Sequence, residues 1–326
     1  MNAIQRSWDG WHGITLLLLP LTGLFCLLAF IRRLFYRLGW FGSSRLPVPV
    51  IIVGNISVGG TGKTPLVVWV ARHLMQRGLK PGILLRGYAG RGSDHPQEVT
   101  AESLAAEVGD EAVLIKRHLA CPVFIGRDRV AAGRRLLSNH DCDLIISDDG
   151  LQHYALQRDL EIVVVDGERR FGNGLCLPAG PLRERVGRLK TADLIIVNGS
   201  ARPGEYALRV SGDLAYPLGG GEARSLEAFI GERIEAIAGI GHPERFFQML
   251  RRAGLNPNCH AFADHHPYRA EELLPFSHGT VLMTEKDGVK CELFAQSNCW
   301  YVPATAEPDS AFQTAFDTKI TRLIDG

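Results

Sequence analysis

The sequence has no C-x-x-C pair, no internal repeat and almost no surplus of basic residues. Its seven cysteines are odd in number and scattered from Cys26 to Cys299. That spacing supports neither a thiolate metal site nor a disulfide framework, and it fits a reducing compartment. With 36 lysines and arginines against 35 acidic residues, no global positive field argues for nucleic acid as a partner. Charge is also missing locally: Ile14 to Ile31 is a leucine-rich run of 18 uncharged residues.

What is present is the composition of a folded chain. At 326 residues, 46% hydrophobic and 22% charged, it can bury one large or two ordinary cores. The uncharged run would span about 27 Å as a helix, marginally enough for a hydrocarbon core of about 30 Å. Arg32, Arg33 and Arg37 follow it among Phe35, Tyr36, Trp40 and Phe41, so the positive-inside rule predicts a cytoplasmic body. A cleaved signal peptide would carry its charges before the run and a small-residue cleavage site after it. A helix that crosses the membrane and one that lies in its interface both remain open.

The run Ser57-Val-Gly-Gly-Thr-Gly-Lys-Thr64 follows the apolar stretch Val50 to Val53. Glycines let backbone N–H groups converge on an anion, and the next helix offers its positive end. Lys63 can reach the β and γ phosphates, and the Thr64 hydroxyl can ligate Mg²⁺. Ser57 stands where such loops usually begin with glycine. Gly59, Gly60 and Gly62 keep the turn flexible, Thr61 sits between them, and Pro65 occupies a position that tolerates a missing N–H.

Short apolar runs then alternate with helical stretches: strands at Val50–Val53, Gly82–Leu85, Val123–Ile125, Leu144–Ile146, Ile162–Val165 and Leu194–Val197, and helices at Pro65–Arg77, Asp110–His118 and Arg129–Ser138. This predicts an α/β protein with a doubly wound, mostly parallel sheet of P-loop NTPase type. The expected division is an anchor and connector over 1–46, a nucleotide-binding domain over 47–204, a ribbon linker over 205–224, and a smaller α/β domain over 225–326 that closes over the active site.

A phosphate loop needs a carboxylate to orient Mg²⁺. Asp148 and Asp149, adjacent at a strand end, are favoured over Asp166, whose expected role is to cap a turn. Gly109-Asp110-Glu111 opens a helix, where acidic residues also serve as ordinary caps. Arg86-Gly87-Tyr88 lies at the carboxyl edge of the sheet, where such folds bind ligands. Asp264-His265-His266 lacks a third ligand at metal spacing, which favours an acid–base role. In Thr284-Glu285-Lys286-Asp287 the lysine directly precedes the aspartate, unlike the guanine-reading Asn-Lys-x-Asp pattern, so ATP is the expected nucleotide.

Taken in order, SVGGTGKTP, RGY, GDE, SDDGLQH (Ser147 to His153), LPAGPLRE (Leu177 to Glu184), GIGHPERFF (Gly239 to Phe247), FADHHPY (Phe262 to Tyr268) and TEKD behind an apolar amino terminus resemble the tetraacyldisaccharide 4'-kinase family of lipid A biosynthesis. The resemblance implies transfer of the γ-phosphoryl of ATP, with Mg²⁺, to the 4'-hydroxyl of a tetraacylated glucosamine disaccharide 1-phosphate at the cytoplasmic face of the inner membrane. It puts Asp110 and His265 in a catalytic pair with Lys63 beside them, although the choice between His265 and His266 stays open. Asp148 and Asp149 fall at the metal and nucleotide site. Arg86, Tyr88, Gln152, His153, Arg183 and Glu184 are expected to line the substrate cleft, and no obligate protein partner is implied. The competing expectation is a membrane-tethered NTPase switch or transport-coupling ATPase.

Overall fold

A computed structural model describes residues 7–87 and 95–325. Helix α1 (Gly13–Arg37) precedes the body. In chain order the strands are β1 (Val50–Gly54), β2 (Pro81–Leu85), β3 (Gln97–Glu98), β4 (Val123–Ile125), β5 (Leu144–Asp148), β6 (Leu160–Asp166), β7 (Leu194–Asn198), β8 (Tyr206–Ser211), β9 (Leu214–Pro217), β10 (Arg224–Ser225), β11 (Ile234–Ala238), β12 (Asn258–Ala261), β13 (Thr280–Thr284), β14 (Cys299–Val302) and β15 (Thr305–Pro308). The main helices of the body are α2 (Lys63–Gln76), α3 (Asp110–His118), α4 (Arg129–Asn139), α5 (Pro243–Arg252), α6 (Glu285–Cys291) and α7 (Ser310–Asp325).

Two sheets form among the described residues. The larger runs β15-β8-β7-β6-β1-β5-β2-β4-β3, and the smaller runs β10-β9-β14-β13-β11-β12. β1 pairs in parallel with β5 on one side and β6 on the other, which makes it central and buries all five of its residues. Being covered on both faces explains why these strands read as continuous apolar runs. The expected doubly wound, mostly parallel α/β architecture is what forms. Helix α2 buries Leu66, Val67, Val70, Ala71 and Leu74, a stripe at helical spacing, on one face of this sheet.

The expected boundaries at 205–224 and 225–326 need correction. Tyr206–Ser211 is no free ribbon but a strand parallel to β7. After the smaller sheet the chain returns: β15 pairs antiparallel with β8, and α7 inserts Phe312, Phe316 and Ile320, at a four-residue spacing, into the core around Leu66 and Val70. Burial of these side chains outweighs chain order. The chain therefore crosses between units twice, side by side. A Cβ at Gly212 would come within 2.8 Å of the Pro303 carbonyl, so the two crossings pack too closely for a larger residue there.

Helix α1 meets the body along one stripe only. Thr15 and Thr22 are buried and Phe25 and Cys26 pack on the core beneath β1, whereas Leu16, Leu17, Leu21, Leu24, Leu27, Leu28 and Phe30 face outward.

Candidate active site

The phosphate loop is held open from behind. Gly59 and Gly62 adopt φ of 101° and 95°, a region that favours glycine. A Cβ at Gly62 would lie 2.9 Å from Asn198 Nδ2. Buried Thr61 is fixed by Asn55 Nδ2, which donates to its hydroxyl at 3.4 Å, and Asn198 Nδ2, which donates to its carbonyl at 3.3 Å. Ser57 is buried and bridges to Leu182, so its task is to anchor the loop's base. Lys63 and Thr64 then open α2 at its positive end.

Gly59, Gly60, Thr61, Gly62, Lys63 and Thr64 line a cleft of about 1420 Å³ between the two units, together with Arg86, Asp148, Asp149, Arg183 and His265. Gln152, His153 and Glu184 stand outside that lining. Gln152 Nε2 donates to the Asn55 carbonyl at 3.1 Å and to Glu184 Oε1 at 3.0 Å, and Tyr154 donates to Glu184 Oε2 at 2.6 Å. Burial and the nearby Arg129 cation push His153 down to about 4. Tyr88 lies outside the described residues.

The adjacent aspartates are not equivalent. Asp149 has φ of 48°, which turns its carboxylate toward Lys63 Nζ at 3.6 Å and Arg183 Nη1 at 2.8 Å. Burial works against ionisation, but Lys63 and Arg183 outweigh it and hold the carboxyl at about 2. Asp148 is only 3% exposed, and its Oδ1 has no hydrogen-bond partner among the described residues. Burial, reinforced by Glu111, pushes it up to about 7. A buried carboxylate with an orphaned oxygen beside a phosphate loop fits a divalent cation. Sequence reading passed over Arg129, which is buried at the start of α4 and donates to the Asp148 carbonyl at 2.6 Å, fixing the strand end. Asp166 caps a turn, as its sequence suggested, accepting from Glu168 N and Arg169 N at 3.0 Å each.

Across the cleft, His265 Nδ1 lies 2.9 Å from Asp110 Oδ2. Asp110 begins α3 and is 4% exposed, with its Oδ1 also accepting from Glu111 N at 2.8 Å. The pair joins the larger unit to the smaller one. His266 turns elsewhere, with Nε2 2.9 Å from Glu272 Oε1. Burial opposes the charge on both partners, yet their mutual hydrogen bond wins: Asp110 is held below the usual carboxylate range and His265 above the usual imidazole value. The same seam carries Glu111–Lys286 at 3.2 Å, His118–Glu285 at 2.8 Å and an Arg117–Glu292 pair. Lys286, singled out in the sequence only for what it says about the base, thus stands at the seam between the units.

The profile of the family described as Tetraacyldisaccharide-1-P 4'-kinase (LpxK) matches residues 14–321. The chain is 48% identical over 325 residues to a Tetraacyldisaccharide 4'-kinase of Methylobacillus flagellatus, covering 99% of this chain and 97% of that protein. It is also 48% identical over 323 residues to the protein of that name from Nitrosococcus oceani, covering 99% and 94%. Among solved structures, LpxK from Aquifex aeolicus, an "apo" form in complex with ATP, superposes with a TM-score of 0.79 at 26% identity, covering 95% of this chain and 99% of that one.

Proposed function

The chain belongs to the tetraacyldisaccharide 4'-kinase family, and from that premise we propose how its residues transfer a phosphoryl group at a membrane surface. The protein is an ATP-dependent kinase of a tetraacylated glucosamine disaccharide lipid. The acceptor is the 4'-hydroxyl of the disaccharide 1-phosphate. The observation that carries the reading is the placement of His265, paired with Asp110, in the same cleft as Lys63 and Thr64.

Phosphoryl transfer asks mainly for positioning and charge neutralisation. The loop amides from Gly59 to Thr64 and the Lys63 ammonium hold the triphosphate, while Arg86 and Arg183 add cations on the cleft wall. Thr64 and Asp148, supported by Asp149, would hold Mg²⁺, which neutralises charge on the transferring group when bound. Asp110 holds the His265 ring so that the imidazole can take the hydroxyl proton. Because this pair assembles only when the units meet, an open cleft lacks its proton acceptor, and the closure that completes the site also excludes water from ATP.

The geometry of α1 favours a helix lying in the interface over one that crosses. Trp8 Nε1 donates to the Pro178 carbonyl at 3.0 Å, Thr22 bonds the Cys176–Ala179 turn, and the Tyr36 ring lies 5.8 Å from that of Tyr154. The body thus runs alongside the helix between Thr22 and Tyr36, about 21 Å of its axis. Crossing a bilayer would drag that polar flank into hydrocarbon. Lying flat instead seats the leucine face among acyl chains and Phe35, Tyr36, Trp40 and Phe41 at headgroup level. The substrate cannot leave cheaply, at about 0.8 kcal/mol for each CH₂ exposed, so the enzyme goes to it. The supply of ATP places the body on the cytoplasmic side of the inner membrane.

Incubation with γ-labelled ATP and the disaccharide lipid in vesicles tests the reading. Label is expected on the lipid. Label released only as inorganic phosphate would support an NTPase switch instead.

A further inference from the structure

The first turn of α6 is fastened from its inner side. The Thr284 hydroxyl donates to Asp287 Oδ2 at 2.6 Å, and the same buried carboxylate accepts from Gly239 N at 2.9 Å and pairs with Lys290 Nζ at 2.8 Å. Lys286 therefore projects the other way, into the cleft. Its ammonium lies 3.2 Å from His265 Nε2, 3.2 Å from Glu111 Oε1 and 3.6 Å from Asp264 Oδ1.

An ammonium has three protons and no lone pair. Its contact with Nε2 therefore requires the lone pair on that nitrogen and the ring proton on Nδ1, where Asp110 accepts it at 2.9 Å. We propose that Lys286 is a positioning residue of the kinase reaction, which selects the Nδ1–H tautomer of His265 and presents the Nε2 lone pair toward the cleft. The role rests on the reading of Asp110 and His265 as the proton acceptor. When the acceptor hydroxyl takes the ammonium's place, its O–H proton passes to Nε2. The oxygen bonds the γ-phosphorus, and the bond between that phosphorus and the bridging oxygen breaks, leaving ADP. Glu111 and Asp264 keep the displaced lysine at the cleft wall.

Among the described residues, Asp110 from α3, Asp264 from its own loop and Lys286 from α6 act on the His265 ring, while Glu111 of α3 pairs with Lys286 and Lys290 of α6 acts on Asp110. Of these, the Lys286 cation opposes a second ring proton on His265 and Asp110 favours it. Lys286→Met keeps the aliphatic stem and removes that opposition. Lys286→Met is expected to lower kcat on the order of 30-fold with KM for ATP nearly unchanged. The acid limb of its kcat/KM profile should move up on the order of 0.5 pH unit, and Lys286→Arg should restore the limb. Melting temperatures taken in the same buffers check that both variants fold.

A lysine that only clamps the two units together would raise KM and leave the limb where it is, and that result overturns the proposal. Asp110→Asn separates the two readings. If Asp110→Asn is impaired while Lys286→Met is not, the lysine's role falls and the acceptor pair stands. If Asp110→Asn keeps wild-type kcat, both fall.

Discussion

The Thr22 hydroxyl accepts from Ala179 N at 3.0 Å and donates to the Cys176 carbonyl at 3.3 Å, tying the apolar helix to the turn that leads to the phosphate loop. The next links are short. The Pro181 carbonyl accepts from Val58 N at 2.8 Å, Arg183 N donates to the Ile56 carbonyl at 2.7 Å, and the Arg183 guanidinium grips Asp149. Thr22→Val keeps the shape but strands a buried N–H, at a cost of about 1–3 kcal/mol. The melting temperature should fall by roughly 2 °C or more, and kcat on vesicle-borne lipid should fall several-fold. Unchanged turnover would mean that the helix and loop are not coupled.

The outward leucines test the membrane seat separately. Leu17 and Leu24 are 77% and 53% exposed, so replacing both with glutamate disturbs no packing. Each buried leucine contributes about 1.5–3 kcal/mol when it leaves water. Vesicle sedimentation should show affinity lost by on the order of 10²-fold or more, with ATP affinity unchanged. Deleting residues 1–31 is a poorer probe, because Phe25 and Cys26 pack on the core behind the loop and Thr22 bonds the Cys176–Ala179 turn.

How much of this was legible follows from range. The stretch from Ser57 to Thr64 and the strands around it are local signals, set by glycine conformation and by burial on both faces, and they form where the sequence puts them. α3 also begins and ends where expected. The return of β15 and α7 to the larger sheet was not legible, because Thr305–Pro308 is a short edge strand and Phe312, Phe316 and Ile320 carry no mark of which sheet they will cover. The same limit applies to Lys286. Its spacing argues against guanine, but only the folded chain brings it to His265, and the choice of His265 over His266 likewise depends on where α3 ends up.

Asp148 should behave as a carboxylate kept at the expense of stability. Its buried oxygen, without a hydrogen-bond partner among the described residues, costs the nucleotide-free fold, and Asn at this position carries no charge. Asp148→Asn is expected to raise the melting temperature of nucleotide-free protein at neutral pH by about 2 °C and to lower kcat by on the order of 10². A variant that is both destabilised and fully active would remove Asp148 from the cation site.

The acid–base pair makes stability and turnover respond oppositely to pH. His265 is raised above its unfolded value of about 6.5, so its share of stability is complete below that value and is lost as pH rises through the higher folded one. Asp110 is lowered, so its share is present above about 4 and is lost as pH falls through the folded value. The seam between the units is therefore firmest from about pH 4 to 6.5. Turnover needs the neutral imidazole, so kcat/KM should decline as pH drops through a value above 6.5. Even at its ordinary value near 4 a lone carboxylate is a weak base, so His265→Ala should lose nearly as much as Asp110→Ala, each on the order of 10² in kcat. Lys63→Ala should lose a similar factor by a different route, with no change in the acid limb. Melting curves and kcat/KM measured across pH 5 to 8 on wild type and His265→Ala check both signs. A wild-type protein most active where its seam is firmest would reverse the assignment of the imidazole as proton acceptor.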